Sequence, residues 1–152
     1  MRNQEHRFDS CREHPMTIAI CGSLQFYQEM RQVEKKLKKL GHKVLVPKSL
    51  DLIENHGFKK PLTVKSRLVA EAEHDFLGEH FDKIKKSEAI LVVNHDKKGI
   101  KGYIGGNTFL EMGVAFYFKK KIFLLYPVPK MDYELELHAM RPVILNGDLS
   151  RL

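Results

Sequence analysis

The sequence has no apolar run approaching the ~20 residues needed to span a bilayer, so no transmembrane helix is expected. Its opening stretch, MRNQEHRFDSCREHP, lacks the apolar core of a secretory signal, and export by that route is not expected. Cysteine is scarce. Cys11 and Cys21 offer neither a disulfide framework nor the paired spacing of a zinc site, which fits a reducing cytoplasm. Acidic residues are outnumbered, 19 against 26 lysines and arginines, giving a net charge of +7. Such a balance invites a nucleic-acid partner, yet no basic helix-turn-helix, zinc finger or aromatic RNA-binding pattern accompanies it. Lys35, Lys36, Lys38 and Lys39 interleave with Leu37 and Leu40, as on a solvated helix face. A polymeric nucleic acid is therefore not the expected partner. A positive field that draws small phosphorylated molecules accounts for the charge equally well.

What is present reads as one α/β domain. Residues 1–15 are polar and without period, a flexible tail, and the ordered domain is expected over 16–152. Short apolar runs predict strands at Met16–Cys21, Lys43–Pro47, Ala89–Asn94 and Lys121–Tyr126, with a last one at Val143–Leu145. Helical spacing predicts helices over 25–40, 64–77 (interrupted by Gly78), 79–87, 108–119 and 131–140. Residues 48–63, punctuated by Pro47, Gly57 and Pro61, read as a loop lining a pocket. Strand and helix alternate. That predicts a flavodoxin- or Rossmann-like doubly wound parallel sheet of about five strands. In such sheets ligands bind beyond the carboxyl ends of the strands, where strand order reverses. The rule singles out the Gly22–Ser23 turn, the region after Asn94, and the loop from Gly102 to Thr108.

The segment Ile104-Gly105-Gly106-Asn107-Thr108-Phe109-Leu110-Glu111-Met112-Gly113 is the most informative in the chain. Its glycines allow close approach of backbone to a ligand, and a helix N-terminus supplies unpaired N–H groups for an anion. Glu111, one turn in, would lie beside that ligand and stay ionised near the positive helix end. The spacing Thr108-x-x-Glu111 also fits a capping box, in which Glu111 merely bonds back to the helix start. Gly22 and Ser23 open a helix after a buried strand and offer a second anion site, or simply a capped turn. Glu71-x-x-His74 has the spacing of a helical metal pair, but a di-metal site needs a second such motif and none is present. No metal and no cofactor are expected. Cys21, ending a buried strand, reads as inert core.

An early ICGS turn paired with a late GGNTFLEMG helix start resembles the nucleoside 2-deoxyribosyltransferase superfamily, which includes nucleotide N-glycosidases. The likeness runs from about Met16 to Lys121. It implies Glu111 as the nucleophile, with an aspartate in the helix before the third strand handling the base, for which Asp82 is the best match. The spacing from Asp82 to the strand is slightly short, so Asp75 and His80 remain candidates. Glu88 stands where an aspartate is common; the aromatic common near the first turn has no clean counterpart, and Phe26 or Tyr27 could substitute for it. With the strand-end rule and the two helix starts, the expected substrate pocket draws on Gly22, Ser23, His80, Asn94, Gly105, Gly106, Asn107 and Thr108. The resemblance also implies a homo-oligomer in which Asn146 and Asp148 reach a neighbour's site. The expected activity is cleavage or transfer of the N-glycosidic bond of a nucleoside or 5′-monophosphate through a glycosyl-glutamate. Two alternatives stand beside it. One is a phosphoribohydrolase of the PGGxGTxxE type, from which Ile104 and a motif one residue short depart. The other is a nucleotide-binding module without chemistry.

Overall fold

A computed structural model of the chain describes residues 14–56 and 63–152. Most of the expected tail lies outside these residues, as do positions 57–62 of the expected pocket loop. The short apolar runs form strands β1 (Thr17–Cys21), β2 (Lys43–Leu45), β3 (Ala89–Val92), β4 (Lys121–Leu124) and β5 (Val143–Ile144). They pair in parallel throughout, in the order β2-β1-β3-β4-β5. The amphipathic stretches between them form α1 (Tyr27–Lys39), α2 (Lys48–His56), α3 (Val64–His74), α4 (Phe76–Lys86), α5 (Gly106–Tyr117) and α6 (Glu134–Ala139). The expected doubly wound sheet is what forms. No helix among the described residues is long and apolar enough to cross a membrane.

Strand alternation sorts side chains into two layers. Ile18, Ile20, Leu91 and Val93 face Met30, Val33 and Leu37 of α1 and Leu50 of α2. Ala19, Cys21, Ile90 and Val92 face Ile84 of α4, Met112 and Ala115 of α5, and Leu137 of α6. With both faces covered, the central strands need no polar side, hence their continuous apolar sequence. The same alternation delivers the Cys21 side chain to the α4–α5 layer.

The structure departs from the sequence reading in three places. Residues 48–56 are helix rather than loop. Pro47 does not open a loop there; it stands immediately before α2, which buries Leu50 completely. Arg31 on α1 fastens α2 by donating to Asp51 at 2.7 Å and reaching Glu54 at 2.9 Å. The break between α3 and α4 falls at Asp75, not Gly78. Asp75 adopts the left-handed conformation (φ 46°, ψ 53°), and its carboxylate accepts the Gly78 N–H at 3.1 Å. A Cβ on Gly78 would collide with that carboxylate, so the glycine serves the cap from inside α4. Finally, α5 is not buried all round: Leu110, Phe116 and Tyr117 are exposed.

Candidate active site

The order β2-β1-β3 places the topological switch between β1 and β3, and a cavity of about 550 Å³ opens beyond their carboxyl ends. Gly22 and Ser23 line it after β1, Arg67 and Glu71 from α3, and His80 from α4. Lys97, Lys98 and Tyr103 come from the loop after β3, and Gly105, Gly106, Asn107, Thr108 and Glu111 from the start of α5. A wider cleft of about 1060 Å³, bounded by Phe26, His95, Asp96 and Tyr126, lies beside the same loop and holds none of the buried reactive groups.

At the inner end of the smaller cavity three side chains from three elements converge. Cys21 Sγ lies 3.6 Å from His80 Nε2, and His80 Nε2 lies 3.3 Å from Glu111 Oε2. All three residues are buried. His80 shares its helix face with buried Ile84, one turn on, and Glu111 shares its with Ala115, so core packing aims both side chains inward. Burial pushes the Glu111 carboxyl up to about 8, with the Cys21 thiol offsetting only part of the shift. Burial, and after it the charge of Lys83, takes His80 down to about 4. The Cys21 thiol is raised well above its ordinary value by burial and by its proximity to Glu111. Near neutral pH the trio is a thiol, a neutral imidazole and a mostly protonated carboxyl.

This corrects the expectation that the helix end keeps Glu111 ionised. The helix starts at Gly106, so Glu111 sits in its second turn, where the dipole has faded and desolvation dominates. The capping box does not form either. Gly105 is the N-cap and makes no side-chain cap bond, while Thr108 is buried as the third helical residue. Glu111 is therefore committed to the cavity and not to its own helix end.

Of the residues singled out from sequence, Gly22, Ser23, His80, Gly105, Gly106, Asn107 and Thr108 line one cavity with Glu111. Ser23 also accepts a hydrogen bond from Lys97 Nζ at 3.2 Å, linking the two loops. Asp82 does not join them. It is exposed on α4, and two residues from His80 means a turn of about 200° around the helix, away from the site. Asn94 is not a lining residue. Fully buried, it accepts the Tyr126 N–H and donates to the Tyr126 carbonyl, each at 2.9 Å, tying the loop after β3 to that after β4. Gly102 belongs to this junction: at φ 68° its Cβ position lies 2.8 Å from the Pro127 carbonyl. Asp75 is occupied as the cap of α4. Glu88 accepts the Thr17 N–H at 2.9 Å, and Phe26 packs in the core against α1. Asp148 caps the final turn by accepting the Ser150 N–H at 3.0 Å. The Glu71–His74 pair does not converge: Glu71 accepts the Leu77 N–H at 2.9 Å while His74 stacks on Phe76.

Arg67 went unread in the sequence, and two more groups at the site were read otherwise: Glu71 as half of a helical metal pair and Cys21 as inert core. No spacing ties them to Glu111; Arg67 and Glu71 line the cavity from α3, and Cys21 reaches its inner end from the last position of β1. The loop they meet is held from behind by Tyr133, whose hydroxyl donates to the Ile104 carbonyl and whose ring stacks on Phe109 at 4.4 Å.

No protein-family model matches the chain, and no curated protein does. The site's chemistry rests on its geometry.

Proposed function

We propose that the protein cleaves or transfers the N-glycosidic bond of a nucleoside 5′-monophosphate, with Glu111 as nucleophile. The observation that carries this reading is a buried carboxyl in a nucleotide-sized cavity whose other contributors include cations and a helix N-terminus. In the reaction Glu111 first gives up its carboxyl proton to solvent and then, as the carboxylate, attacks the sugar C1′. The C1′–N bond breaks, and its electron pair leaves with the base nitrogen, which takes a proton from an acid. Water, or the nitrogen of a second base, then attacks C1′ and releases Glu111. Positive charge developing on the sugar ring lowers the Glu111 pKa again at the moment the carboxylate is needed.

With Asp82 turned away, Glu71 is the cavity's other carboxyl residue and the group we assign to the base. Ser23, Lys97, Lys98 and the first N–H groups of α5 suit a phosphate, and Arg67 adds a further cation. On the same reading the chain pairs with a second copy through the exposed apolar face of α5, where Leu110, Val114, Tyr117 and Phe118 border a shallow groove.

The test is to incubate the full chain with a panel of nucleosides and their 5′-monophosphates and to follow free base by chromatography. Base release is expected, with kcat/KM for the preferred monophosphate roughly a hundredfold above its nucleoside. Equal values would remove the phosphate assignment. Binding of the panel without any base release would reduce the protein to a nucleotide-binding module.

A further inference from the structure

The Cys21, His80 and Glu111 cluster has a property that glycosidic chemistry does not require. Its three side chains form the one group of potential metal ligands found among the described residues, with their ligand atoms all within 4.8 Å of one another. Bonds of about 2.3 Å to sulfur and about 2.0 Å to imidazole or carboxylate, opened to a tetrahedral angle, place sulfur about 3.5 Å from nitrogen and nitrogen about 3.3 Å from oxygen. The observed sulfur–nitrogen and nitrogen–oxygen separations are 3.6 Å and 3.3 Å, while the sulfur–oxygen pair lies within 4.8 Å and closes to about 3.5 Å by side-chain rotation when an ion is held. A hydrogen-bonded trio explains them less well. His80 Nε2 faces both the sulfur and the carboxylate oxygen, and one ring nitrogen carries at most one hydrogen. The Cys21 thiol is in hydrogen-bonding contact with the Glu111 carboxyl, yet Glu111 Oε2, 3.3 Å from His80 Nε2, and His80 Nδ1 are both buried without a well-formed hydrogen bond. A cation held between the three atoms would satisfy each of them.

We propose that Cys21 Sγ, His80 Nε2 and Glu111 Oε2 bind a single divalent transition-metal ion of the zinc type. A thiolate–imidazole–carboxylate set suits zinc and its neighbours and disfavours magnesium or calcium, which take oxygen ligands. His80 and Glu111 line the cavity, so a water completes the tetrahedron from that side. Binding expels the thiol proton, and the carboxyl proton where present, into solvent; His80 ligates as neutral imidazole with its hydrogen on Nδ1. No oxidant or reductant is involved. Sequence spacing conceals the site because its ligands come from β1, α4 and α5, with Cys21 and His80 59 positions apart.

Cobalt(II) reports the site directly. Untagged full-length chain, stripped by a chelator, is titrated with cobalt(II) in the absence of oxygen. One equivalent is expected to give intense tetrahedral visible bands with a near-ultraviolet thiolate charge-transfer band, both erased by one equivalent of zinc. Cys11→Ser keeps the spectrum. Cys21→Ser loses the charge-transfer band, and His80→Gln weakens binding at least about tenfold. The proposal is overturned if stripped protein at micromolar concentration gives no such spectrum, or if the charge-transfer band survives Cys21→Ser and vanishes in Cys11→Ser. If the glycosidase reading holds, zinc also suppresses base release by holding the nucleophile's oxygen. The cobalt spectra test metal binding whether or not that reading stands.

Discussion

Glu111 is where folding and chemistry oppose each other. Its carboxyl is carried to about 8 by burial, against an ordinary value of 4.5. Between those two values an unfolded chain gives up the proton while the folded chain keeps it. The group therefore costs nothing below about pH 4.5, and its penalty grows until the folded carboxyl ionises near 8. Glutamine cannot ionise. We expect chelator-treated Glu111→Gln to match wild-type stability at pH 4 and to exceed it by about 3 kcal/mol at pH 7, several degrees in Tm. Thermal melts across that range check this, and a difference independent of pH would refute the burial argument. At this scale the sequence was only partly legible. Glu111 stood out because glycines and a helix start surround it. Cys21 in the ICGS turn read as core and His80 only as one candidate among several, and their convergence on Glu111 arises only from alternation in β1 and helical phase in α4. Asp82 shows the converse: it was matched to a family position by spacing alone, and helical phase leaves it exposed and outside this cavity.

The elements that aim these side chains depend on a few local devices. Chief among them is the Asp75 junction, which ends α3, starts α4 and so sets the phase of His80. Asp75→Ala loses the cap to Gly78 and keeps a side chain in the left-handed conformation, so a loss of about 1–2 kcal/mol is expected. Asp75→Gly relieves the backbone term and should lose less, and Asp75→Asn least of all. Urea denaturation of the three variants measures the order; alanine equal to or better than glycine would contradict it. Sequence reading put this break at Gly78 because glycine is the usual interrupter, whereas an aspartate that tolerates positive φ and caps its successor does the same work. It also took 48–56 for a loop. With Leu50 the one fully buried side chain among the described residues of α2, and ion pairs from Arg31 beside it, the apolar period there is too weak to see.

At the scale of the whole molecule the sequence was most informative. Strands buried on both faces announce themselves as apolar runs, and the alternation of runs with amphipathic stretches leaves few topologies open. Quaternary structure is less legible, since an exposed apolar face shows only after the sheet has covered the others. Leu110 and Tyr117 retain 51% and 79% exposure on α5, which favours a second copy as cover. Wild-type chain is expected to run as a dimer or larger assembly in light scattering at micromolar concentration, and Leu110→Lys to shift it toward monomer. A monomeric wild type would end that proposal. The central claim, that a carboxylate at residue 111 carries the bond cleavage, is tested most directly by comparing base release in wild type and Glu111→Ala under saturating substrate, with circular dichroism confirming a folded variant. Release is expected from wild type, and no detectable turnover from the variant. A folded Glu111→Ala retaining more than about a tenth of wild-type kcat would contradict the claim.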